Sequence, residues 1–175
     1  IWPYVVNNYL LGKDPPAFDV LYWNADTTNM PAALHRDFIQ LSLDNSLVHP
    51  GALEALGTPI DLSKITLDTY LVAGISDHIT PWESCYRSTQ LLGSDPRFVL
   101  SSSGHIAALV NPPGNDKASY QISDENPPSA QEWMDTAAKL RGTWWVDWLQ
   151  WLAERSGADK AAPRRLGGTG FEPLD

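Results

Sequence analysis

Two apolar runs stand out against the polar positions of the chain, Thr66 to Ala73 (TLDTYLVA) and Arg97 to Ser101 (RFVLS). Both are short and bounded by turn residues, which predicts buried strands. Between them Trp82, Cys85, Tyr86, Thr89 and Leu92 recur at the helical period, so a helix joins the two. Thr80 is placed to cap it, Pro81 suits its first turn, Glu83 completes a Thr-x-x-Glu capping box, and Gly93 ends it. Adjacent parallel strands joined by a crossover helix bring the loops that follow them to one sheet edge.

The flanking segments are patterned differently. Ile1 to Leu11 is mostly apolar and predicts a helix ending at Gly12, and Ala32 to Leu43 predicts another after Pro31. Between them Pro15 and Pro16 lead into Phe18 to Asn24, an aromatic-rich stretch. Ser129 caps a further helix with Glu132 three residues on, Gly142 breaks or kinks it, so that residues 129–157 form one or two helices, and Gly157 terminates it. Within it Trp144, Trp145, Trp148 and Trp151, with Leu149 and Leu152, form a stripe at helical spacing. That stripe either clamps a helix onto the sheet or offers an aromatic surface to an apolar polymer. Pro112, Pro113, Pro127 and Pro128 bracket a polar stretch expected to be surface loop. The organisation predicted is a cap or lid segment over residues 1–60, a core over 61–157 and an extended tail over 158–175.

Composition narrows the function. At 175 residues and 43% hydrophobic the chain can build one domain with a core. A formal charge of −9 argues against nucleic acid, whose phosphates require clustered Lys and Arg. The cluster of Lys160, Arg164 and Arg165 sits in the Pro/Gly-rich tail and reads as a solvated end. One cysteine, Cys85, excludes an internal disulfide and fits a reducing cytoplasm. No apolar run is long enough to span a membrane. His35 and His49 have no partners at metal-ligand spacing, so no metal is expected.

The candidate chemistry lies just past the two strands, in Gly74 to Trp82 (GISDHITPW) and Ser102 to Ile106 (SSGHI). Asp77 in the first loop and His105 in the second are placed as the acid and base of an α/β-hydrolase triad, which runs nucleophile, acid, base along the chain. A carboxylate on the far imidazole nitrogen would hold the tautomer and stabilise the imidazolium. His78 either hydrogen bonds beside the site or packs. Cys85 falls mid-helix on the buried face, without the exposure and lowered pKa that a nucleophilic thiol requires. No Gly-x-Ser-x-Gly or Gly-x-Cys-x-Gly turn occurs, and the chain begins at Ile1 without methionine. The expectation is therefore the C-terminal part of a larger enzyme: an α/β fold with the last strands and helices of an α/β-hydrolase sheet, preceded by an aromatic-rich cap.

An ordered set of motifs carries a family resemblance. It comprises Val6-Asn7-Asn8-Tyr9-Leu10, the Phe18-Asp19-x-Leu21-x-Trp23-Asn24-x-Asp26-x-Thr28 stretch and Asp77-His78-Ile79-x-Pro81-Trp82. Ser103-Gly104-His105-Ile106, Asn111-Pro112-Pro113 and Trp144-Trp145-x-x-Trp148 complete it. With these the chain resembles the bacterial poly(3-hydroxyalkanoate) synthases across nearly its whole length. The resemblance implies an acyltransferase that polymerises (R)-3-hydroxyacyl-CoA into polyester through a Cys-His-Asp triad. CoA leaves as product and no cofactor is needed. His105 and Asp77 match the family's base and acid, while its cysteine lies outside this chain and Cys85 does not match it. Trp23 and Asp26 fall beside the site by the same resemblance. It also implies a growing polyester chain as partner, a homodimer through the cap segment, and a cytoplasmic location at the polymer granule surface. The competing readings are an esterase or polyester depolymerase, which delivers water to the same triad, and an inactive dimerising or granule-docking fragment. The Trp23-Asn24-x-Asp26 stretch argues against the hydrolase.

Overall fold

A computed structural model describes residues 2–15, 19–162, 167 and 170. Pro16 and Phe18 of the aromatic stretch, and Arg164 and Arg165 of the tail, lie outside the described residues. The chain divides into two units, Ile1–Ser46 and Leu47–Asp175.

The first unit is helical. Helix α1 (Trp2–Tyr4) continues as a wider i→i+5 turn over Val5–Leu10, where Leu11 N donates to Val6 O, and Gly12 follows with φ +61°. Helix α2 spans Asp19–Ala25 and helix α3 spans Ala32–Asp44. The left-handed Asn45 caps α3, its N–H bonding Leu41 O. No residue of α1 or α3 is buried, and Trp2, Tyr9, Trp23 and Leu43 are exposed by 70%, 84%, 70% and 76%.

The second unit opens with a small hairpin, β1 (Glu54–Ala55) and β2 (Thr58–Pro59), and is built on a four-stranded mixed sheet. Its strands stand in the order β3 (Tyr70–Gly74), β4 (Arg97–Ser101), β5 (Ser119–Ile122), β6 (Ala138–Arg141). Strands β3 and β4 are parallel, with Tyr70 opposite Arg97 and Gly74 opposite Ser101, whereas the other two pairs are antiparallel. Helices α4 (Trp82–Tyr86) and α5 (Ala130–Thr136) supply Tyr86 and Trp133, which pack with Ala73, Phe98 and Leu100 into the core. Phe98 meets Tyr86 at 5.1 Å and Trp133 at 4.9 Å between ring centroids, both edge-on.

Helix α6 (Trp145–Arg155) covers the opposite face. Trp151 packs edge-on against Tyr70 at 5.4 Å, and Asp147 takes Arg97 bidentate at 2.8 and 2.5 Å together with the Tyr70 hydroxyl at 2.8 Å. The tryptophan stripe thus clamps a helix to the sheet. Cover on both faces is why β4 reads as a continuous apolar run rather than an alternation.

Four sequence expectations are corrected. The first strand begins at Tyr70, not Thr66, because the register starts at Tyr70 opposite Arg97, the first residue of β4. Before it, among the described residues, only the Thr69 carbonyl reaches β4, accepting from Arg97 N at 2.9 Å. The stretch expected to be loop holds β5, whose Tyr120 is buried. The helix capped by Ser129 stops at Thr136, and residues 138–141 pair with β5 as β6. Gly142 (φ +98°) then turns the chain into α6, so the break is a strand and not a kink. Finally, Thr80 makes no capping box: α4 begins after Pro81 with no side-chain cap and runs into a 3₁₀ turn over Arg87–Gln90.

Gly93 is needed for a close approach rather than for a helix end. A Cβ there would sit 1.9 Å from the backbone oxygen of Ser63, beside the 3.0 Å bond from Gly93 N to Ile65 O. Backbone cannot yield as a flexible side chain can. Gly93→Ala is expected to cost at least about 1–3 kcal/mol, the range for overpacking, read as a lower urea midpoint. An unchanged midpoint would refute the contact.

Candidate active site

The parallel pairing of β3 and β4 carries both loops to one sheet edge. Gly74 ends β3 against the neighbouring loop, where a Cβ would meet Ala108 Cβ at 2.8 Å and Ser103 O at 3.1 Å. Two backbone bonds lace the loops together, Ile75 N to Ser101 O at 2.9 Å and Ser76 N to Ser103 O at 3.1 Å. Ser103 adopts φ +95°, a conformation unfavourable for a side chain with a Cβ, two residues before His105.

Beyond Gly104 the chain makes a tight turn, with Ala108 N bonded to Gly104 O. The tryptophan stripe reaches this turn from the side. Trp144 Nε1 donates to Ala108 O at 2.9 Å and Trp145 Nε1 to Leu109 O at 3.1 Å. These indoles therefore hold the segment that carries His105 as well as packing.

Asp77 and His105 meet. His105 Nδ1 lies 2.9 Å from Asp77 Oδ2, with the Asp77 side chain 6% exposed and that of His105 44% exposed. Asp77 is also the turn acid of its own loop, since Oδ1 accepts from Ile79 N at 2.9 Å and Thr80 N at 3.0 Å. The Thr80 hydroxyl donates to Oδ2 at 2.7 Å. The Thr80 amide, then the Thr80 hydroxyl, His105 and the Ile79 amide, hold the carboxyl well below the usual carboxylate range against the opposing effect of desolvation. The arrangement is an ionised carboxylate against one imidazole nitrogen, with the other nitrogen available for proton transfer.

His78 is exposed on the bend after Asp77. Trp23 belongs to α2 of the first unit and Asp26 follows it, its N–H on Trp23 O. Cys85 is half-buried on α4, with Sγ 3.9 Å from Thr80 O. Burial, then the Asp77 charge, pushes its thiol up, so it stays protonated and poorly nucleophilic. Among the described residues no cluster suited to a metal ion occurs, and no helix is long and apolar enough to cross a membrane.

Three roles escaped the sequence reading: the close approach at Gly74, the left-handed backbone of Ser103 and the bond of the Thr80 hydroxyl to Asp77. Gly74 follows a strand directly before the Asp77 loop, a weak signal for a close approach. Thr80 resembled a helix cap because it precedes Pro81 and Glu83, and nothing local distinguishes a cap from a donor to Asp77.

No family model matches the chain. Poly(3-hydroxyalkanoate) polymerase 2 of Ectopseudomonas oleovorans is 53% identical over 174 residues, covering 99% of this chain and 31% of that protein. Polymerase 1 of the same organism is 51% identical over 171 residues, 98% of this chain and 31% of its own length. The poly(3-hydroxyalkanoate) polymerase subunit PhaC of Cupriavidus necator is 43% identical over 176 residues, 100% of this chain and 30% of its own length. The chain spans under a third of the curated relatives it matches, and the resemblance drawn from its motifs is borne out in them.

Proposed function

We propose that this chain, homologous throughout to one part of the poly(3-hydroxyalkanoate) polymerases, carries the acid and base of an acyltransferase that polymerises (R)-3-hydroxyacyl-CoA and releases CoA. The observation supporting this most directly is the 2.9 Å contact of Asp77 with His105 past two parallel strands. In this reading the sheet is the last part of an α/β-hydrolase fold, and a cysteine from outside the chain is the nucleophile.

His105 Nε2 takes the cysteine proton, and the thiolate attacks the thioester carbonyl of the hydroxyacyl-CoA. The enzyme thioester forms, the carbon–sulfur bond to CoA breaks, and CoA leaves with the proton returned by the imidazolium. In the second step Nε2 takes the proton of a 3-hydroxyl, whose oxygen attacks the enzyme thioester. An ester bond forms, the cysteine sulfur departs, and the proton returns to it. Asp77 holds the ring and offsets its positive charge at each transfer. CoA is a leaving group and no cofactor takes part. The further partners proposed are the growing polyester, a second copy through the cap segment, and the granule surface.

A chimera tests the reading, with this chain replacing the matching segment of polymerase 2 of Ectopseudomonas oleovorans. The expected products from (R)-3-hydroxyacyl-CoA are free CoA and polyester. Free hydroxy acid without polymer would establish the hydrolase instead, and a folded chimera that releases no CoA would overturn both. In the same chimera Cys85→Ala is expected to lower stability by roughly 1 kcal/mol and to leave CoA release intact. Loss of release from a folded Cys85→Ala protein would make Cys85 the nucleophile.

A further inference from the structure

We propose that Thr80 is a positioning residue, whose hydroxyl shares Asp77 Oδ2 with His105 so that the proton between acid and base stays on the imidazole. This rests on Asp77 and His105 acting as acid and base.

The carboxylate of Asp77 meets four donors. The backbone amides of Ile79 and Thr80 take Oδ1 at 2.9 and 3.0 Å, and Thr80 Oγ1 and His105 Nδ1 divide Oδ2 at 2.7 and 2.9 Å. The two amides belong to the turn and serve Asp77 whatever side chain residue 80 carries. The hydroxyl is the one donor of the turn that depends on the side chain at residue 80. An ionised carboxylate only accepts, so this hydroxyl donates to it.

Each donor favours the anion. An oxygen that already accepts one charge-assisted hydrogen bond is also a weaker base towards a second. Nδ1–H is therefore held without being drawn across to Asp77, and Nε2 keeps its lone pair for proton transfer. The amides on Oδ1 keep the carboxylate from turning away. Two other titratable groups lie nearby: His78, exposed on the same loop, and Cys85 on α4, which stays protonated and adds no charge.

The test is a nuclear magnetic resonance titration of the full chain beside Thr80→Val and Thr80→Ser, following the Asp77 carboxyl carbon and the His105 Nδ1–H proton. Valine matches threonine in shape and keeps the backbone amide. It is expected to move the Asp77 titration to higher pH and the Nδ1–H resonance downfield, because Oδ2 then serves His105 alone. Serine restores the hydroxyl and is expected to keep both near their original positions. The proposal fails if valine moves neither signal, or if serine behaves as valine does, which would assign the effect to the methyl group. An upfield Nδ1–H in Thr80→Val would also overturn it, since the hydroxyl would then be orienting Oδ2 rather than sharing it. CoA release is not measured here, so an inactive chimera would remove the acyltransferase reading without deciding the role of Thr80.

Discussion

Replacing His105 with alanine in the chimera is expected to stop polymer synthesis while the protein stays folded. The fold should survive because the His105 side chain is 44% exposed and, among the described residues, its side-chain hydrogen bond runs only to Asp77 in the neighbouring loop. The chemistry should not, because both half-reactions pass a proton through the same imidazole. Losing a positioned base costs about 10²- to 10⁴-fold in rate. The deficit should be larger for chain extension than for the first acylation, since an alcohol needs the base more than a thiol does. Quenched-flow measurement of CoA release checks this, with circular dichroism confirming the fold. Near-normal release from His105→Ala would remove His105 from the site.

Asp77→Asn separates the two half-reactions. The two backbone amides on Oδ1 require an oxygen there, so the new amide must place its NH₂ where Oδ2 stood. That group faces His105 Nδ1, and two donors cannot face each other. The ring takes the tautomer with its hydrogen on Nε2, the atom that has to accept the proton. A cysteine thiol, a few per cent ionised near pH 7 without help, still acylates slowly. A hydroxyl does not attack without a base. The expected trace is a burst of about one CoA per site followed by a stall, with turnover reduced about 10²- to 10⁴-fold. Neither burst nor turnover would make Asp77 essential to acylation as well, and full activity would exclude it from the mechanism.

The same substitution has a pH signature in stability. The folded Asp77 carboxyl titrates below its unfolded value, which is about 3.9 for an ordinary aspartate. Its contribution to stability is therefore complete above that value and is lost as pH falls through the depressed folded one. Asp77→Asn should flatten this part of the acid-unfolding curve.

What the sequence determined by itself is local. Arg97–Ser101 is a strand with the bounds read from its apolar run, since burial on both faces leaves a continuous hydrophobic signal. Ser129 caps α5 as its spacing with Glu132 requires, its hydroxyl 3.4 Å from Glu132 N. Asp77 and His105 were legible because each follows a recognisable strand and a glycine, and parallel pairing brings such loops together. Tertiary structure decided the rest. Ser119–Ile122 and Ala138–Arg141 mix polar and apolar residues in runs of only four, and each becomes a strand because its neighbour completes the hydrogen-bond ladder. The Thr80 hydroxyl was claimed by a carboxylate instead of a helix end, and the tryptophan stripe also came to hold the His105 turn. A propensity or a cap is written in neighbouring residues, whereas a ladder partner or an acceptor across a turn exists only once the chain has folded around it.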